Sequence, residues 1–202
     1  GRIHEVKGKV CVVRIESQRE IPRPEPHIHL AVAPTKQNDR LEWLLEKATE
    51  IGVSEISLFF SEHSERRKYR VDRGERVILS AAKQSLKAWL PVLHSPITFE
   101  EMIRASHWNS YSLRAVATCL DIGNKQLLAD CLLRTSPGQV ALLIGPEGDF
   151  SPEEIDRARG AGFQPLSLGD SRLRTETAGL VAVHTVQLLA NLPRAGMDSS
   201  AE

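Results

Sequence analysis

Two strand-to-helix passages in the C-terminal third limit what this chain can fold into. In the first, the apolar residues 141–144 end on Gly145-Pro146-Glu147-Gly148, followed by Ser151-Pro152-Glu153-Glu154. The second ends on Leu168-Gly169 and passes through Arg172-Leu173-Arg174-Thr175-Glu176-Thr177-Ala178 into a run that is almost entirely apolar as far as Leu192. A short strand that turns on glycine into a helix is a unit of an open parallel sheet, whose ligands sit in the crevice beyond the carboxyl ends of its strands. That crevice is the candidate site. The helix starts also have purely local explanations. Ser151 is a cap with proline behind it and glutamate three positions on, while Thr175 reads as a cap with Glu176 at the positive end of the helix dipole.

The same alternation begins further upstream. Residues 27–33, 55–60, 114–120, 139–144 and 164–168 read as strands. Between the first two, Leu41, Leu44, Leu45, Ala48 and Ile51 recur at helical spacing ahead of Gly52, which suits a left-handed cap. Asp72 with Glu75, and Thr98 with Glu101, have the spacing of capping boxes. This repetition predicts an α/β fold, a mainly parallel sheet with helices on both faces. Residues 1–26 stand apart. They hold one valine-rich strand at 9–15 and then the extended Ile21-Pro22-Arg23-Pro24-Glu25-Pro26, which together read as the remnant of a larger β domain and a linker. The expected divisions are 1–26, a main domain at 27–193 and a tail at 194–202.

Composition excludes several classes of function. The 202 residues carry 26 basic and 26 acidic side chains, so bulk charge does not draw the chain onto nucleic acid and any such contact needs a local patch. One lies at Arg66-Arg67-Lys68-Tyr69-Arg70 and continues to Arg73 and Arg76, although a solvated loop has the same composition. No run approaches the roughly 20 apolar residues of a membrane span, and no leader pattern is present, which predicts a cytoplasmic protein without membrane contact. Cys11, Cys119 and Cys131 lack disulfide or zinc spacing and read as reduced thiols. The fingerprints G-x-G-x-x-G, G-x-x-x-x-G-K-[ST] and G-x-S-x-G do not occur. His27 and His29 point to one strand face as a metal pair would, but no third ligand has matching spacing, so no metal is expected.

Taken together, Leu143-Ile144-Gly145-Pro146-Glu147-Gly148, Phe150-Ser151-Pro152-Glu153-Glu154-Ile155, Leu168-Gly169 and Leu173-Arg174-Thr175-Glu176-Thr177-Ala178 resemble a family signature. It is that of the SPOUT-type methyltransferases that modify N3 of a uridine in 16S ribosomal RNA. Residues 39–53 (DRLEWLLEKATEIGV) and Lys83-Gln84-Ser85-Leu86-Lys87 resemble the same family. The resemblance implies S-adenosyl-L-methionine as cofactor, 16S rRNA within the small ribosomal subunit as partner, and a homodimer that completes the cofactor pockets. It also implies a PUA-like β-barrel ahead of the catalytic domain and a deep C-terminal trefoil knot. Chains rarely thread loops, so the knot rests on the resemblance alone. By the same likeness Gly145, Glu147, Gly148, Leu168, Gly169, Leu173, Thr175, Glu176 and Ala178 line the cofactor pocket, and Arg174 is the catalytic residue. Arg66, Arg67, Lys68, Arg70, Gln84 and Ser85 are the residues expected to meet RNA. The family commonly carries glycine where Asp149 stands and arginine where His63 stands.

Methyl transfer from a sulfonium to a uracil imide needs alignment and stabilisation of negative charge on the base. Arginine stays protonated, so Arg174 is cast as the cation facing that charge rather than the proton acceptor, with Glu176 orienting it. Two other readings use the same residues. One is a non-catalytic RNA-binding or ribosome-assembly module that keeps the fold. The other is a phosphate site at the helix start of Ser151, where Glu147, Asp149, Glu153 and Glu154 would repel an anion.

Overall fold

Segments rich in valine, isoleucine and leucine, buried on both sides, form the centre of one seven-stranded sheet in the computed structural model, which describes residues 1–123 and 125–192. The expected boundary at 193 and the tail at 194–202 lie outside the described residues. A hairpin of β1 (Arg2–Lys7) and β2 (Val10–Arg14) comes first. The sheet then contains β3 (His27–Val32), β4 (Glu55–Phe60), β5 (Val92–Thr98), β6 (Leu113–Ala117), β7 (Gln126–Leu127), β8 (Gln139–Ile144) and β9 (Gln164–Ser167). Its order is β5-β4-β3-β8-β6-β9-β7, with every pairing parallel.

Parallel neighbours need crossovers, and helices supply most of them. They are α1 (Asn38–Ile51), α2 (Val71–Gln84), α3 (Phe99–Arg104), α4 (Leu128–Thr135), α5 (Pro152–Gly160) and α6 (Thr175–Ala190). Because β3 is apolar at every position from Leu30 on, it buries both faces. Ile28 and Leu30 share one core cluster with Leu44, Leu45, Ile78, Leu132 and Val183 of α1, α2, α4 and α6. Ala31 lies on the other side with Phe59 of β4 and with Met102, Trp108 and Ile155, from α3, the 3₁₀ turn Ser106–Ser110 and α5. The α/β fold expected from the sequence is the one observed: a parallel sheet with helices on both faces.

Several local expectations hold and two do not. Gly52 has φ 114° and closes α1 with a bond from its N–H to the Ala48 carbonyl. Both Thr98 with Glu101 and Ser151 with Glu154 make complete capping boxes. Asp72 and Glu75 do not. The residue before α2 is Arg70, and Asp72 lies inside the first turn, where its carboxylate accepts from Arg70 at 2.8 Å and Arg76 at 3.4 Å. Two nearby guanidiniums outcompete a backbone N–H for that carboxylate. Similarly, Arg174 occupies the cap position of α6 and Thr175 is its first helical residue.

The strand at β5 escapes a pattern reading because VLHSPIT mixes polar residues with Pro96; an edge position tolerates the proline. In the N-terminal segment, β1 and β2 pair with each other and are exposed along their length. The linker that follows is fastened to the main sheet unit. Trp89 donates its indole N–H to the carbonyls of Ile21 and Pro22, each at 3.0 Å, and Arg23 lies 5.3 Å from the Trp89 ring centre.

Candidate active site

Strand β8 sits between β3 and β6, and the chain leaves the two glycine-ended strands in opposite directions. From β8 it enters α5 on one face, whereas from β9 it enters α6 on the other. The loops therefore part at the carboxyl edge of the sheet and leave a crevice, the usual ligand position in a parallel sheet. A cavity of about 660 Å³ occupies it, within the roughly 300–1,000 Å³ range of small-molecule sites. Gly145, Glu147, Leu168, Gly169, Leu173, Arg174, Thr175 and Ala178 all line this cavity. Gly148 and Glu176 stand just outside it. A Cβ on Gly148 would come within 3.0 Å of His63, so that glycine lets the loop close over the histidine. Glu176 is buried, with its carboxylate 3.7 Å from the Arg40 guanidinium on α1 rather than beside Arg174.

Other lining residues carry no sequence signal of their own. Thr118, Cys119 and Lys125 come from the segment after β6, and Asp170, Ser171 and Arg172 from the turn before α6. Reading β6 as a strand through residue 120 hides the first two, because the strand ends at Ala117 and the following residues turn over the cleft. Lys125 holds that turn by donating to the Thr118 and Leu120 carbonyls at 2.9 and 2.6 Å.

Asp149 explains why glycine suits its position. Its φ is +62°, the left-handed region that favours glycine and tolerates aspartate. Here the carboxylate is put to use. One oxygen accepts from the Thr118 hydroxyl at 3.1 Å and the Cys119 N–H at 2.7 Å, and the other accepts from the Phe150 N–H at 2.8 Å. The extra charge thus ties the loop after β8 to the loop after β6. Glu147 ties it to the loop after β3, accepting from the Lys36 N–H at 2.9 Å. At Ser151 the capping box consumes the donors an anion would need, since the Ser151 and Glu154 N–H groups already point at Glu154 and Ser151 oxygens.

Gly145 has no room for a side chain. A Cβ there would lie 2.9 and 3.0 Å from two atoms of the Phe150 ring, which is 1% exposed and wedged against Phe59 and Phe99. Gly145→Ala is expected to destabilise the protein by about 1–3 kcal/mol, the usual range for overpacking a rigid site. Thermal and denaturant melting measure this, and an alanine variant that melts like the parent would show that the loop has slack.

The basic loop forms a second cleft. Arg66, Lys68, Tyr69, Arg70, Arg73 and Arg76 line it. Arg67 does not line it, and several cations of the loop already have partners. Arg66 donates to the Thr35 and Lys36 carbonyls at 3.1 and 2.6 Å, Arg67 to the Glu62 carbonyl at 3.1 Å, and Arg73 pairs with Glu42. Burial, reinforced by Glu42, pushes the Tyr69 hydroxyl up to about 12. Gln84 and Ser85 lie at the far end of α2, where Ser85 donates to the Ala81 carbonyl, so within one chain they face the opposite edge of the sheet from Arg174.

Residues 22–187 match the RNA methyltransferase domain family. The ribosomal RNA small subunit methyltransferase E of Synechocystis sp. is 30% identical over 179 residues, covering 87% of this chain and 56% of that protein. The chain thus spans little more than half of that relative's length. A probable rRNA-methyltransferase from Porphyromonas gingivalis has a crystal structure that is 43% identical, with TM-score 0.82, covering 93% of this chain and 78% of its own. The Neisseria gonorrhoeae ribosomal RNA small subunit methyltransferase E, bound to S-adenosyl methionine, is 29% identical with TM-score 0.70, covering 81% of this chain and 66% of its own. With the family match running from ahead of β3 into α6, and so through every loop that builds the crevice, the chain belongs to the RNA methyltransferase domain family.

Proposed function

We propose that the chain is the catalytic part of an enzyme that transfers a methyl group from S-adenosyl-L-methionine to N3 of a uridine in 16S ribosomal RNA. The observation that carries this reading is the convergence of Gly145, Glu147, Leu168, Gly169, Leu173, Ala178 and Arg174 on one crevice at the switch point of the sheet. The cleft suits that cofactor. Ile144, Leu168, Leu173 and Ala178 offer apolar surface to a planar base, and Gly145 brings bare backbone to the cleft, while at Gly169 the Ser167 hydroxyl accepts the N–H at 3.2 Å and donates to the carbonyl at 3.0 Å. Gly169 has φ +128° and nothing within 4 Å of where a Cβ would stand. Glu147 and Asp170 add carboxylates for hydroxyl or ammonium groups.

When bound, S-adenosyl-L-methionine supplies a methyl already activated on a sulfonium. The protein's part is then to position the uracil and stabilise negative charge on it. Arg174, exposed at the cap of α6, brings a permanent cation to the cleft, and the open N–H groups of the first helical turn add positive potential behind it. Glu176 acts through α1, fixing the start of α6 against Arg40. RNA reaches this site across the basic cleft of Lys68, Arg70 and Arg76, joined to the cofactor loops through Lys36, whose carbonyl meets Arg66 and whose N–H meets Glu147.

Three features support the finer parts of the reading. Leu133 on α4 and Leu188 on α6 are exposed on helices that pack together, an apolar face suited to a second copy of the chain and hence to the homodimer. Insertion of β8 between β3 and β6, with α6 laid back across β3 and β8, is compatible with a trefoil knot. The β1–β2 hairpin, all β and set ahead of the main sheet, supports reading residues 1–26 as part of a PUA-like domain. Among the described residues no helix is long and apolar enough to cross a membrane, in keeping with a cytoplasmic enzyme acting on the small ribosomal subunit.

The test combines cofactor titration calorimetry, sedimentation, and methylation of small-subunit particles. One S-adenosyl-L-methionine per chain, a dimer, and a new N3-methyluridine in 16S rRNA are expected. No binding at millimolar cofactor would overturn the enzyme reading. Binding without methylation would favour a module that kept the fold and lost the chemistry.

A further inference from the structure

Four of the seven histidines gather around one carboxylate at the amino edge of the sheet, opposite the cofactor crevice. Strands β3, β4 and β5 begin there. Their register sets His29 beside Glu55 and His94 beside Ser57. One donor atom each from His29, Glu55 and His94 falls within 4.8 Å of the others. Nδ1 of His29 is 3.8 Å from Glu55 Oε2, and Nε2 of His94 is 2.7 Å from the same oxygen.

We propose that His29, Glu55 and His94 bind a divalent transition-metal ion, with Zn²⁺ the best match to the donor set. Two imidazoles and a carboxylate make an open zinc site, whereas Mg²⁺ and Ca²⁺ prefer all-oxygen shells. Ligands about 2.1 Å from a tetrahedral ion stand about 3.4 Å apart. The separations of 2.7 and 3.8 Å bracket that spacing, so small side-chain rotations complete the site.

The surrounding groups orient these donors as outer partners of metal ligands do. Ser57 Oγ lies 2.7 Å from His29 Nε2; accepting that N–H leaves the Nδ1 lone pair turned toward Glu55. His27 Nε2 holds Glu55 Oε1 at 2.9 Å and frees Oε2 for the ion. The ion takes the place of the Tyr111 hydroxyl, which lies 3.1 Å from His29 Nδ1. The His29 ring cannot swing away, because the His107 ring stacks on it at 5.7 Å and Trp108 packs at 4.7 Å. Exposure rises from 1% at His29 through 26% at Glu55 to 42% at His94, which opens a path for the ion from solvent and leaves a coordination position for water. The site bridges the amino-terminal ends of three adjacent strands and clamps them.

Titrating chelator-treated protein with Co²⁺ and then Zn²⁺ tests the assignment. One Co²⁺ per chain should bind with the visible absorption of a low-coordinate site, and Zn²⁺ should displace it and raise the melting temperature. His94→Ala and Glu55→Gln, both partly exposed and checked for folding by circular dichroism in chelator, should each weaken binding by more than the roughly 10- to 100-fold that outer-shell partners contribute. Ser57→Ala, which removes no ligand, should fall within that range. Cysteine-bound metal would be unmoved by these changes. Failure of Co²⁺ to bind in excess, or binding of equal strength in the parent and in the His94 and Glu55 variants, overturns the site and leaves Glu55 as a hydrogen-bond hub for the histidines. None of these readouts uses methyl transfer, so the outcome is independent of the proposed reaction.

Discussion

Replacing Arg174 with alanine is expected to lower the methylation rate by about 100- to 1,000-fold, the usual cost of removing one electrostatic contact made in the transition state. Cofactor affinity and melting temperature should barely change. The reason lies in the surroundings of the side chain. Arg174 is exposed at the lip of the cleft, and among the described residues no hydrogen bond or ion pair joins its guanidinium to the protein. An exposed group without internal partners contributes little to stability, so its removal should stay within about 0.5 kcal/mol. The backbone of Arg174 shapes the start of α6, but alanine keeps that backbone. Arg174→Lys should recover little, because a point charge lacks the planar fork that spans neighbouring acceptors. Single-turnover rates, calorimetry and melting on one preparation separate the cases. A variant that methylates normally removes Arg174 from the mechanism, and one that loses stability, affinity and rate together makes it a structural residue.

What can be read from the sequence is encoded over a few neighbouring residues. Gly52 ends α1, Ser151 with Glu154 starts α5, and the glycine turns after β8 and β9 bound the crevice, each by chemistry local to its own turn. Misreadings arise where a distant partner decides the outcome. Asp72 has the spacing of a cap but is taken by Arg70 and Arg76. Glu176 sits two residues from Arg174 but pairs with Arg40 across the α1–α6 contact. The metal-type cluster is the clearest instance, since His29, Glu55 and His94 come from three strands and meet only through parallel register. No spacing rule within one segment reports a register between segments. The same holds for Thr118 and Cys119, which reach the cleft because Asp149 pulls their loop over it.

The basic cleft should divide under mutation into cations that hold the loop and cations that meet RNA. Lys68, Arg70 and Arg76 belong to the second group: Arg70 and Arg76 share the carboxylate of Asp72 at the surface, a contact that phosphate can replace. Neutralising these three should weaken RNA binding and reduce the magnitude of the log–log salt slope by about 2, at roughly 0.7 for each phosphate of a single strand that the protein no longer neutralises. Cofactor binding should not move. Asp72→Asn should have the opposite sign, strengthening RNA binding by releasing both arginines from their competitor. Arg66→Ala belongs to the first group and should behave differently from either. Its guanidinium holds the Thr35 and Lys36 carbonyls, and the Lys36 N–H is the donor that positions Glu147 in the cofactor cleft. Loss of Arg66 should therefore weaken cofactor binding as well as RNA binding, with a smaller change in salt slope than the triple variant. Filter binding across a salt series, paired with calorimetry for the cofactor, measures both. An unchanged slope in the triple variant would make the loop a solvated face, and unchanged cofactor affinity in Arg66→Ala would uncouple the two clefts.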